Sequence, residues 1–127
     1  MQYALEKKVE ISYDAVVEKV TGLLKDNGFG ILTRIDVKNT LKEKLGVDFY
    51  RYEILGACNP NFAHEALQNQ PDVGVLLPCN VVVSERENGV FVSIFNPKLI
   101  SELSENSTLI ELGEKVRKIM DGILKQL

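Results

Sequence analysis

Five stretches of this chain carry the period of two that belongs to strands, and stretches of helical period separate all but the last two. Residues 3–11 set Tyr3, Leu5, Val9 and Ile11 on one face against Glu6, Lys8 and Glu10 on the other. Lys7 interrupts the apolar face and suggests an edge position. Phe29, Ile31, Thr33, Ile35 and Val37 alternate in the same way. Tyr52 to Cys58, Val73 to Glu85 and Val90 to Phe95 complete the strand set. Alternation of this kind describes a sheet that is wet on one face and covered by helices on the other, which parallel sheets rarely are. The predicted order is β-α-β-α-β-α-β-β-α, with a minor helix before the last one. The fold class that follows is α+β: one mostly antiparallel sandwich over residues 1–127, with helices on one face of the sheet.

Local signals place the helix ends. Ser12 is a predicted N-cap for a helix with Val16, Val20, Leu23 and Leu24 on one stripe, and Gly28 closes it. Asp36 caps a short helix carrying Val37, Leu41 and Leu45, ended by Gly46. Asn59-Pro60 opens another, because asparagine caps and proline lacks only an N–H that has no helical partner there. Glu87-Asn88-Gly89 predicts a tight hairpin in which Asn-Gly accepts positive φ. Asn96-Pro97 starts a further turn, and Leu109, Leu112, Val116, Ile119, Met120 and Ile123 stripe the last helix.

Composition removes several function classes. At 127 residues the chain buries about two-thirds of its unfolded surface, enough for one core. Its net charge of −3 leaves no positive field for nucleic acid or an acidic membrane surface, so neither is an expected partner. The first eight residues lack the apolar stretch of a secretion signal, and runs such as Val81-Val82-Val83 are too short to span a bilayer. A cytoplasmic location is expected, where two cysteines are thiols, metal ligands or redox groups rather than a structural disulfide.

The soft, nucleophilic and metal-binding side chains concentrate in the 24 residues from Ala57 to Asn80, which hold both cysteines and the single histidine. Cys58 lies at a strand-to-helix junction, where unpaired N–H groups and the helix dipole favour a thiolate. It is the candidate nucleophile or first metal ligand. His64 falls off the centre of the helix's apolar face and is a candidate base or third ligand; ordinary surface is the plainer reading. Cys79 shares the phase of Val73, Val75, Leu77, Val81 and Val83, which points it to the core, although Pro78 signals a bulge able to re-aim it. As second ligand or resolving thiol it completes a Cys58–His64–Cys79 set that offers Zn²⁺ three donors. No CxxC pair supports that set, and a redox thiol pair is equally compatible. Asn59 and Asn80, each beside a cysteine, are candidate hydrogen-bond donors to such a site.

Other patterns point nowhere in particular. Gly28-Phe29-Gly30 lacks the third glycine and the following helix of a dinucleotide loop. Arg34, Asp36 and Lys38 read as a solvated strand end, Glu53 and Glu65 have no identifiable partner carboxylate, and no Ser–His–Asp set is present. Whether the chain is an enzyme stays open. The alternative function is a non-catalytic domain that holds a small apolar ligand on the sheet or between sheet and helices, with Tyr50, Tyr52, Phe62 and Phe95 as candidate lining. A dimeric regulatory or structural role, through a sheet edge or the final helix, is the third.

The segments Gly28 to Val37, Tyr52 to Pro60, Ala63-His64 and Leu76 to Val83 closely resemble the family catalogued as domain of unknown function 302. The likeness covers nearly the whole chain, with no departure at these positions. It implies a compact α+β fold similar to the TATA-binding-protein-like group, with helices on one side of a curved antiparallel sheet. It also implies homodimers. It supplies no activity, so the roles suggested for Cys58, His64 and Cys79 come from side-chain chemistry alone.

Overall fold

A computed structural model describes residues 2–127. Strand β1 (Ala4–Val9) leads into helix α1 (Tyr13–Asp26), then β2 (Gly30–Asp36), α2 (Val37–Leu45), β3 (Tyr52–Cys58) and α3 (Pro60–Asn69). A 3₁₀ segment (Pro71–Leu76) precedes β4 (Cys79–Arg86) and β5 (Gly89–Phe95), and α4 (Lys98–Leu103) and α5 (Ser107–Lys125) end the chain. The local signals act as their chemistry requires. Ser12 Oγ accepts from the Ala15 N–H at 3.2 Å, Asp36 Oδ1 from Asn39 at 2.9 Å, and Asn59 Oδ1 from Asn61 and Phe62 at 3.1 and 3.2 Å. Each occupies donors that the first helical turn leaves without partners. Gly28 and Gly46, with φ of 83° and 68°, follow α1 and α2 in the left-handed region.

The five strands form one antiparallel sheet in the order β1-β5-β4-β3-β2. Its inner face, carrying Leu5, Leu55, Val81, Val83, Val92 and Ile94, packs against α1 and α5 through Val16, Val20, Leu24, Met120 and Ile123. This is the α+β architecture expected from the alternation. β1 is an edge strand, and Lys7 shares the phase of Leu5 and Val9. Its Nζ resolves the conflict by donating to the carbonyls of Leu124 and Leu127 at 2.9 and 3.2 Å, beyond the end of α5's apolar stripe. A smaller cluster, Ala66, Val73, Ile100, Leu109 and Leu112, lies under α3, the 3₁₀ segment and α4; Phe62 and Phe95 touch both clusters. Among the described residues, no helix is long and apolar enough to cross a membrane.

Three expectations need correction. The fourth strand starts at Cys79, not Val73: the chain between Pro71 and Pro78 winds into a 3₁₀ segment that buries Val73 and leaves Val75 87% exposed. Each of these prolines lacks the N–H that a ladder needs. Pro78 produces no bulge, for the pairing of β4 with both neighbours is regular; the register shift lies instead in β2, between Ile31 and Thr33. In the hairpin, Gly89 alone carries a positive φ, 137°, and Asn88 does not.

The bulge has a consequence for β2. An extra residue at Leu32 reverses the strand's facing from that point. Ile31, opposite Ala57, still packs on the core, whereas Ile35, opposite Ile54, turns to the outer face and is 47% exposed. Arg34, opposite Leu55, is thereby placed on the inner side.

Candidate functional site

Where the two hydrophobic clusters meet they leave a gap. β3 delivers Ala57 and Cys58 to it, and the Asn59 cap then turns the chain so that Phe62, Ala63 and Ala66 of α3 form one wall. Leu77, Pro78 and Cys79 form a second wall where the chain enters β4. Helices α4 and α5 close the gap with Ile100, Leu109, Leu112, Gly113 and Val116. The space between these atoms amounts to about 530 Å³ and is partly open to solvent, a slot between sheet and helices. Asn59 supplies its one amide side chain; the thiols apart, the remaining side chains that line it are apolar.

Gly113 holds the slot's floor together. A Cβ at this position would press on Ser101 Oγ and come within 2.7 Å of the Pro97 carbonyl, so the absence of a side chain lets α4 dock directly on α5. Asn96, 3% exposed, fastens the same corner. Its Nδ2 donates to the Gln2 carbonyl at 2.9 Å, and its Oδ1 accepts from the Lys98 N–H and Arg117 Nη1, each at 3.1 Å.

Both cysteines line the slot as free thiols, Cys58 half-buried and Cys79 buried. Ala57 pairs with Cys79 across β3 and β4, so Cys58 is one residue beyond that pair, and its own ladder partner on the far side is Gly30. Burial first, and the neighbouring Cys58 second, push the Cys79 thiol up from its ordinary 9.0 to about 11. Near neutral pH it stays protonated, which makes it a poor nucleophile. His64 is exposed and does not line the slot. Among the described residues no group of three or more Cys, His, Asp or Glu side chains is placed to hold a metal ion, so the Cys58–His64–Cys79 set is not assembled. The reason is angular: α3 turns Phe62, Ala63 and Ala66 inward, and His64 projects between those directions to solvent.

The aromatic expectation divides likewise. Phe62 lines the slot, and Phe95 packs behind it against both clusters. Tyr50 and Tyr52 instead join Phe49 in a separate aromatic group, with ring centroids 4.0 Å apart for Phe49 and Tyr50. Asn59 caps α3 and lines the slot, while Asn80 is exposed.

A polar cluster built on two buried residues, Tyr13 and Glu53, at the other end of β3 escapes the reading of the sequence. Tyr13 Oη donates to Glu53 Oε1 at 3.1 Å, and Arg34 Nε donates to Glu53 Oε2. Arg51 lies 4.0 Å from the centre of the Tyr13 ring and pairs with Asp14 at 2.6 Å. Burial and the Glu53 charge raise the Tyr13 hydroxyl well above its ordinary range, and Glu53 holds the Arg34 guanidinium charged. The Arg34 side chain stays 58% exposed, as expected of a solvated strand end, while its Nε reaches Glu53. Each member has a partner, and the cluster ties α1 and β2 to β3. The available signal was Glu53 itself, in phase with Leu55 and Ala57 on a buried face, where a carboxylate needs donors.

The chain's relatives share this architecture. The family model described as "Domain of unknown function DUF302" matches residues 5–127. The crystal structure of an uncharacterized conserved DUF302 protein from Bacillus stearothermophilus superposes with a TM-score of 0.89; it is 27% identical, and the match covers 98% of each chain. Among curated proteins, none matches this chain.

Proposed function

We propose a function for a chain that belongs to the DUF302 family: it is a non-catalytic binding domain that holds a small apolar ligand in the slot between the sheet and helices α3–α5. The observation that carries this reading is the slot itself, walled almost wholly by apolar side chains at the seam of two hydrophobic clusters. Pockets of this composition with a few polar groups are the usual form of small-molecule sites. The thiols suit it as soft, weakly polar wall atoms. The competing reading, a redox or Zn²⁺ protein using Cys58, Cys79 and His64, has less support, because burial keeps Cys79 protonated and His64 stands outside the slot.

Thermal-shift measurements with metal ions, metabolites and alkyl compounds test the proposal. Alkyl ligands are expected to raise the melting temperature, by roughly 10 °C at a hundredfold excess over Kd, and to slow alkylation of Cys58. Filling the mouth with Ala63→Phe removes both effects. If the alkyl compounds produce neither effect up to their solubility limits, or if Zn²⁺ alone stabilises the protein, the reading fails.

The homodimer implied by the family resemblance is best supported at the β2 edge. There Leu32, 67% exposed, and Ile35 border a strand with one side unpaired, and two copies pairing β2 with β2 about a two-fold axis extend the antiparallel sheet. Light scattering reads this directly, and a mass of one chain at high protein concentration refutes it.

A further inference from the structure

The slot's lining and the charge beside it limit what it takes. That lining is apolar apart from the Asn59 amide and the two thiols, which suits an alkyl tail. Phe29 and Phe62 are its aromatic members; Phe62 is half-buried, and on its ring, 5.3 Å from the centroid, stands the ammonium of Lys115. Lys115 is exposed, and among the described residues no carboxylate lies within 4 Å of it. Glu111, one turn earlier on α5, is suitably spaced for an ion pair and makes none.

A second donor borders the slot. Asn59 lines the slot and spends its Oδ1 on the N–H groups of Asn61 and Phe62, which orients Nδ2 as the free end of the amide. That Nδ2 makes no hydrogen bond to another described residue. The start of α3 adds the positive end of a ten-residue helix dipole at this rim. The apolar slot and the unpaired ammonium meet at Phe62, and the Asn59 amide, its Nδ2 beside Gly28, stands at the start of the same helix; together they complement an amphiphile with an anionic head.

We infer that the ligand is a single-chain carboxylate of the fatty-acid class, its alkyl tail in the slot and its carboxylate held at the rim by Lys115 and Asn59 Nδ2. The inference rests on the binding function proposed above and adds the head group to it. Lys115 sets specificity rather than overall affinity: an exposed ion pair discriminates modestly, whereas tail burial carries most of the binding.

Calorimetric titration of the full chain with decanoate, 1-decanol and decyltrimethylammonium, all below their micellar or solubility limits, separates the two claims. The wild-type protein is expected to bind decanoate about two- to fivefold more tightly than decanol, and the cation more weakly still. Lys115→Met narrows the preference for decanoate over decanol to the part that Asn59 supplies, with an unchanged melting temperature, since the side chain is exposed. Lys115→Glu reverses the order in favour of the cation. Equal binding of decanoate and decanol by the wild-type protein, or a ratio that Lys115→Met leaves untouched, overturns the head-group assignment while the apolar slot stands. Failure of all three to bind overturns both.

Discussion

Cys79 shows how position decides the chemistry of a side chain. In the folded protein its proton stays on to about pH 11, whereas in the unfolded chain it leaves at the ordinary 9.0. Between these values the unfolded state binds fewer protons, so stability falls as pH rises; below about 9 the contribution is constant. The loss over this interval is on the order of 3 kcal/mol. Urea denaturation from pH 8 to 11 is expected to show this loss in the wild type and in Cys58→Ala, with most of it absent in Cys79→Ala. A parallel loss in all three would assign the effect to other groups. Iodoacetamide at pH 8 should correspondingly modify Cys58 well before Cys79. The buried Tyr13–Glu53 pair makes a second prediction at this scale. Glu53→Ala leaves the Tyr13 hydroxyl without its acceptor and is expected to destabilise by about 1–3 kcal/mol, more than Tyr13→Phe, which leaves Glu53 its bond to Arg34. Equal urea midpoints for the two variants would contradict that ordering.

Between elements, the decisive contact is the approach of α4 to α5 over Gly113. The atom nearest a new Cβ there, apart from the Ser101 hydroxyl, is a backbone carbonyl, which cannot rotate away as a flexible side chain can. Gly113→Ala is therefore expected to push α4 outward and lower stability by about 1–3 kcal/mol, despite alanine's better helix propensity. Because Gly113 and Ile100 both line the slot, the same change should weaken decanoate binding; Gly22→Ala, at a position with open space around it in α1, should not. Chemical denaturation with calorimetry of the two variants checks this, and a Gly113→Ala protein as stable as wild type would show that α4 does not depend on the close approach.

For the molecule as a whole, the unequal size of its two hydrophobic clusters sets an order of opening. Nineteen buried residues join the sheet to α1 and α5, but five hold α3, the 3₁₀ segment and α4 together. Local opening follows the smaller burial. Hydrogen exchange is expected to be faster in α4 and the 3₁₀ segment than in β4 and β5, and decanoate should slow it selectively in α3 and α4. Uniform protection across the molecule would mean that the clusters unfold as one unit. A slot at the seam between a firm layer and a looser one has a route for a ligand to enter without disturbing the main core.

Strand and helix identities, the caps at Ser12, Asp36 and Asn59, and the corner at Asn59-Pro60 were legible because each depends on residues within a turn or a pleat of one another. So was the family, whose motifs are contiguous. The exposure of His64 could be inferred as well, since helical phase alone puts it off the apolar face. What lay beyond the sequence came from contacts between distant segments. A single extra residue in β2 sends Arg34 inward to Glu53, and no alternation pattern announces it. The walls of the slot come from β3, α3, the entry to β4, α4 and α5, whose separate faces each read simply as core. Only their packing shows that the faces do not quite close, because a gap belongs to the fit among surfaces and is coded by none of them alone.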